Sequence, residues 1–128
     1  MATAKYRAGE KIIAKYTAGA DIAVGDIVVC GLIDAKKCRV GVAVENIANG
    51  ATGDVCISGT WLFPKASGAV IKAGESVNWD ASAGAVDDNA ATSAAGDVVQ
   101  FGCALTDAGN GVATILLDIA EPGTYDAA

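Results

Sequence analysis

Fifteen carboxylates, nine Lys and Arg and four cysteines are the main reactive side chains of this sequence, and no histidine stands among them. Without histidine the commonest general base is missing, and neither a Ser-His-Asp nor a Cys-His arrangement can be assembled. No G-x-x-x-x-G-K-[ST] loop is present to cradle phosphates. The adjacent carboxylates Asp87-Asp88 have the look of an acid-base pair, but they lie in a polar Ala/Asn stretch where carboxylates are solvated. Asp80, Asp87, Asp88 and Asn89 supply oxygens of the kind calcium takes, in a spacing that fits no EF-hand loop. Lys36-Lys37 sits in a turn, as a biotinyl- or lipoyl-type lysine would, without the flanking Met or Asp of such turns. These patterns point away from an enzyme. They name no catalytic residue, no cofactor-binding residue and no metal ligand.

The cysteines have structural rather than chemical surroundings. Cys30, Cys56 and Cys103 each lie in an apolar, strand-like run, where Cys behaves as a small hydrophobe. Cys38 stands at the edge of a polar turn, and no pair has the C-x-x-C spacing of a zinc site. Residues 1–16 hold no apolar stretch of signal-peptide length. Folding in a cytoplasm with reduced, buried thiols is therefore expected. No apolar run approaches the ~18 residues of a membrane helix, so no membrane partner is expected.

Charge is segregated along the chain. All nine bases lie at or before Lys72, where six acids leave a balance of +3, whereas residues 73–128 carry nine acids and no base. Lys5, Arg7, Lys11 and Lys15 concentrate the basic excess near the N-terminus. Such a dipolar distribution suits registered association with a protein partner or a second copy. Nucleic acid is a poor partner, because counterion-release binding needs a broad basic face. Trp61 and Trp79 lie in strand patterns that favour core packing or a subunit interface over exposed sugar platforms.

The elements that must carry these groups are short and repeated. Residues 40–57 match residues 101–117: Gly41 aligns with Gly102, Ala43 with Ala104, Val44 with Leu105, Asn46 with Asp107, and Asn49-Gly50 with Asn110-Gly111. Each copy follows a Gly-acid-x-Val element, Gly25-Asp26-Ile27-Val28 or Gly74-Glu75-Ser76-Val77. Repeats of this kind set architecture. Short β-branched runs punctuated by Gly, Asn and Asp indicate an all-β sandwich or barrel. The expected architecture is a small β-barrel or sandwich-like domain with two similar halves. A turn or short helix at Lys65–Lys72 is the only helical stretch expected. Residues 80–96 read as an exposed loop holding a small hairpin at Ala85-Val86. The organisation expected is an N-terminal arm over 1–9, one β domain over 10–119 with its repeat at about 25–57 and 74–117, and a tail over 120–128. The arm is expected to be dispensable for folding and to order on its partner.

Two contiguous segments resemble a known family. Gly59-Thr60-Trp61-Leu62-Phe63-Pro64-Lys65-Ala66-Ser67-Gly68-Ala69 is similar to a G-x-x-x-x-P-K-A-x-G-A segment. Ile71-Lys72-Ala73-Gly74-Glu75-Ser76-Val77-Asn78-Trp79-Asp80 is similar to an I-x-x-G-x-x-V-Y-W-D segment, with Asn78 in place of the aromatic. Both belong to the capsid decoration, or head-stabilising, proteins of tailed phages and prophages, whose doubled G-V-A element matches Gly41-Val42-Ala43 and Gly102-Cys103-Ala104. Members have often carried a RecA/RadA-recombinase label, which a chain without a nucleotide-binding loop does not support. The resemblance implies a homotrimer on the outside of the head, seated at local threefold positions on the major capsid protein, and so a virion location. Lys5, Tyr6, Arg7, Lys11, Lys15 and Trp61 are the candidate capsid or inter-subunit contacts. The competing reading is a carbohydrate-adhesive module displaying an exposed Trp.

Overall fold

The computed structural model describes residues 2–9, 11–30 and 37–126. Among these residues every regular element is a strand: β1 (Lys5–Ala8), β2 (Ile13–Thr17), β3 (Ile27–Cys30), β4 (Lys37–Ala43), β5 (Thr52–Cys56), β6 (Thr60–Pro64), β7 (Val77–Asp80), β8 (Ala85–Asp88), β9 (Val98–Phe101), β10 (Cys103–Ala104), β11 (Thr114–Asp118) and β12 (Gly123–Tyr125). They form two antiparallel sheets. One has the order β1-β6-β11-β10, and the other runs β2-β5-β4-β12-β9-β7-β8 with β3 also paired to β4. The all-β expectation holds, in its sandwich form. A closed barrel requires every strand to be paired on both sides, whereas β1 and β2 each have a single neighbour.

Alternation explains which faces meet. In β6, Trp61 and Phe63 are buried while Thr60, Leu62 and Pro64 are less so; in β11, Ile115 and Leu117 are buried. Side chains of period two fill one face of a strand. Phe63 stands edge-on to Trp79 at 6.1 Å and beside Phe101 at 6.1 Å, joining the two sheets in one core. A second, smaller core of Ala18, Ile22, Val28, Cys30, Ala43, Ile47 and Val55 lies apart from it.

The similar halves share one hydrogen-bonded module. Gly25 N donates to Ala43 O and Ala43 N to Asp26 O; Gly74 N donates to Ala104 O and Ala104 N to Glu75 O. The acid closes its own turn in both, with Ala23 N donating to Asp26 Oδ2 and Lys72 N to Glu75 Oε1. Val24 N donates to Asn46 Oδ1, and Ala73 N to Asp107 Oδ1. Ile22 bridges Ile47 as Ile71 bridges Ala108. Gly25 and Gly74 have φ of 92° and 94°, the left-handed position that a type II turn reserves for glycine.

A third copy of the turn follows at Gly96-Asp97. Gly96 has φ 94°, Ala94 N donates to Asp97 Oδ2, Gly96 N to Asp126 O, and Asp126 N to Asp97 O. Its sequence, Gly96-Asp97-Val98-Val99, repeats the Gly-acid-x-Val element, which was the signal available for finding it.

At Lys65–Lys72 the structure has the turn expected there and no helix: Lys65 bridges Val86 and the following residues turn. Two expectations need correction. Residues 80–96 hold the β7–β8 hairpin, in which Trp79 pairs Val86, so only their later part is loop-like. The two chain ends join the sheets. Ala4 is buried, with Ala4 N donating to Gly25 O and Ile27 N to Ala2 O, and β12 lies between β4 and β9.

Candidate functional site

The candidate site is the N-terminal edge of the molecule. β1 runs antiparallel to β6, with Lys5 opposite Leu62 and Tyr6 opposite Trp61. A bulge between Tyr6 and Ala8 takes up Arg7. The chain then continues along the same stretch of partner backbone. Ile12 N donates to Ser58 Oγ at 2.6 Å and Ile57 N to Ile12 O at 2.9 Å. β2 follows β5 from Ile13 opposite Cys56 to Thr17 opposite Thr52. β1 and β2 thus flank 52–62 and are the outermost strands of the two sheets.

Five of the six candidate contact residues lie on this edge. Lys5, Tyr6, Arg7, Lys11 and Lys15 are all exposed. Lys11 Nζ sits 4.2 Å from the centroid of the Tyr6 ring, an attraction of cation and π-face. Tyr6 Oη donates to Gly9 O at 2.5 Å, which fixes the ring across the bend. Lys15 Nζ meets Asp54 Oδ1 at 2.5 Å across the ladder, and this hydrogen bond, with the carboxylate's charge, raises the Lys15 pKa. Among the described residues no ion pair engages Lys5, Arg7 or Lys11. Ile12, at 54 % exposure, and Ile13, at 46 %, add apolar surface between the charges.

A free strand edge offers unpaired N–H and C=O groups to any extended chain. Ile12 and Ala18 use their main-chain groups inward, toward Ile57 and Ala51. By antiparallel alternation Ile13, Lys15 and Thr17 present theirs outward. Lysines on such an edge keep identical copies apart while leaving it attractive to an acidic partner.

Trp61 is placed differently. It is 4 % exposed and donates from Nε1 to Ser58 O at 2.8 Å, beneath Tyr6. Trp79 is 5 % exposed. Both indoles are core residues, so the adhesive reading loses the aromatic platform it needed. Trp61 supports the edge from below.

The family-like motifs have structural work. Lys65 is buried, and its Nζ donates to Ala66 O at 2.6 Å, Ala69 O at 2.6 Å and Ser67 O at 3.5 Å. The lysine caps the turn that the Pro64–Ala69 segment makes. Asn78, also buried, accepts from Gln100 N at 2.9 Å, next to the register shift between β7 and β9. Gln100 has φ 54°, a conformation uncommon for a residue with a side chain, and the Asn78 amide holds it there.

The remaining groups with chemical potential are absorbed by local structure. Asp80 Oδ1 accepts from Ser82 N, Ser82 Oγ and Ala83 N in its own turn. Asp87 accepts from Asp88 N, and Asp88 from Ala90 N. Cys30, Cys38 and Cys56 are buried free thiols, and Cys103 is half-buried. Cys38 is a core residue near the start of β4. Lys36 lies outside the described residues, and Lys37 opens β4.

The described residues thus form an antiparallel sandwich with a basic, apolar-flecked free edge. A model of the phage cement proteins matches residues 6–119. The chain belongs to that family, whose role in stabilising the phage capsid is structural and whose place is at the virion. A search among curated proteins finds no match.

Proposed function

We propose that this protein cements a phage head from the outside, bound as a homotrimer at local threefold positions of the major capsid protein, with residues 5–17 as its main contact. The supporting observation is that Lys5, Tyr6, Arg7, Lys11 and Lys15 are all exposed along the outer edge that β1 and β2 make, one at the side of each sheet. A capsid segment would add to this edge as a strand, main-chain bonds giving affinity and side chains specificity. The dispersed acids of residues 73–128 would then face solvent or the next protomer. Each contact is modest, and repetition over the shell sums them.

Purified heads stripped of their decoration test the reading. The full chain should co-sediment with them at a saturating ratio of three copies per threefold position. Light scattering on the free protein tests the trimer separately. Saturation at any other ratio, or no binding to heads, removes the proposal.

A further inference from the structure

We propose that Asn110-Gly111 is a site of spontaneous covalent modification in the folded protein, and that its twin Asn49-Gly50 is locked against the same reaction by Asp21. The chemistry is intramolecular. The main-chain N of the glycine attacks Cγ of the asparagine and forms a new N–C bond. The Cγ–Nδ2 bond breaks, and ammonia leaves with the proton from the glycine amide. Water then opens the succinimide ring to aspartate or isoaspartate. No oxidant or cofactor takes part. The reaction needs a free glycine nitrogen, and it needs the asparagine ψ to rotate so that this nitrogen reaches Cγ.

Both turns oppose it. Ala51 N donates to Ala48 O and Val112 N to Gly109 O, with φ of 84° at Gly50 and 86° at Gly111. This is a type II turn, in which the asparagine ψ is about +120°. The attacking nitrogens are occupied: Gly50 N donates to Ala18 O at 2.8 Å and Gly111 N to Ser67 O at 2.6 Å. The two sites differ at the asparagine itself. Asn49 N donates to Asp21 Oδ1 at 2.9 Å, which ties the peptide plane before Asn49 as Ala18 O ties the one after it, so that turning ψ strains one of the two bonds. The position equivalent to Asp21, four residues before the module's glycine, is Val70 in the second half, 48 % exposed and without an acceptor to offer. Asn110 therefore lacks the second tie, though both asparagines are exposed.

The product at 110 would be a new carboxylate near Asp107, whose side chain holds Ala73 N. An isoaspartate would also lengthen the main chain inside the turn that engages Ser67. The modification therefore loosens the second half specifically.

Peptide mapping by mass spectrometry tests this on the full chain, incubated at mildly alkaline pH either folded or unfolded in urea. In urea the two sites should convert at similar rates, since each is followed by glycine. In the folded protein both should slow, with Asn110 converting roughly tenfold faster than Asn49, the factor that corresponds to about 1.4 kcal/mol. Asp21→Ala should bring Asn49 up to the rate of Asn110, and Val70→Asp should slow Asn110. Equal rates at the two sites in the folded protein would overturn the proposal. So would a folded Asp21→Ala variant in which Asn49 stays slow, or a Val70→Asp variant in which Asn110 is unchanged.

Discussion

Tyr6 lies opposite Trp61 in the β1–β6 ladder, the rings meeting edge to face with centroids 5.4 Å apart and planes at 72°. A residue of the supposed arm therefore covers a residue of the core. The consequence for truncation reverses the expectation from sequence. Removing residues 2–9 takes away Ala4, the bonds from Ala4 to Gly25 and from Ile27 to Ala2, and the cover over Trp61.

The truncated chain should be less stable by more than the Tyr6→Ala variant, in which the lost ring pair alone is worth about 0.5–1.5 kcal/mol. Urea midpoints measure both losses. Tryptophan emission should shift to longer wavelength in the truncated protein as Trp61 meets water. An unchanged midpoint and spectrum would mean that the strand is not integral to the fold.

Lys65 gives a second expectation. Lys65→Met keeps the length of the side chain and removes the donor to Ala66 O, Ser67 O and Ala69 O. Ala66 O and Ser67 O keep a main-chain donor, from Ala69 N and Gly111 N, but the buried Ala69 carbonyl loses its partner, which costs about 1–3 kcal/mol, and the urea midpoint should fall accordingly. Ser67 O also accepts from Gly111 N, so amide exchange at Gly111 should quicken more than exchange at Gly50. A neutral substitution would show that the lysine only fills space.

Thiol ionisation gives a dependence on pH. Burial pushes the Cys30 thiol up from an ordinary value of 9.0 to about 11, with Arg39 opposing and Cys38 adding to the rise. The folded state favours the protonated form, so this contribution is complete below pH 9 and is lost as pH rises from 9 toward 11. Stability measured by urea midpoint should fall over that window, and Cys30→Ala should flatten the fall. Cys103, the half-buried thiol, should react first with an alkylating reagent in the native protein. A midpoint flat from pH 9 to 11 in the parent chain would contradict this placement of Cys30.

Much of the fold was legible because it is locally encoded. Gly25-Asp26 and Gly74-Glu75 carry their turn in their own chemistry, a glycine for the left-handed residue and an acid for the amide three places before that acid. The same residues at Gly96-Asp97 form the same turn, and the intervening hairpin obscured the match. The chain ends were misread because their roles are non-local. Residues Ala2 to Ala4 are small and give no apolar pattern, yet they bond to β3 across the domain. Gly123 looks like a tail residue, but a Cβ there would lie 2.5 Å from Val98 Cγ1; it is glycine because β12 passes so close to β9. The candidate edge was half legible. Spacing identified the cations, but only strand pairing shows that β1 and β2 are the outermost strands of the two sheets. For Trp61 the strand pattern left core packing and a subunit interface both open, because it does not say which face a neighbouring strand will cover, and its burial beneath Tyr6 places it in the core.

The most direct test is the salt dependence of head binding by a charge-reversed edge. Lys5→Glu, Arg7→Glu and Lys11→Glu are combined in one chain, and a control chain carries Asp87→Lys and Asp88→Lys on the β7–β8 hairpin. Co-sedimentation with undecorated heads is measured from low to high salt. Exposed charges act mainly on association and are screened within about 10 Å at 0.1 M salt. The edge variant should bind at least tenfold more weakly than the parent in low salt, with the gap closing as salt rises, while the control binds like the parent. Equal binding of the edge variant and the parent at every salt concentration would contradict the assignment of residues 5–17 as the capsid contact.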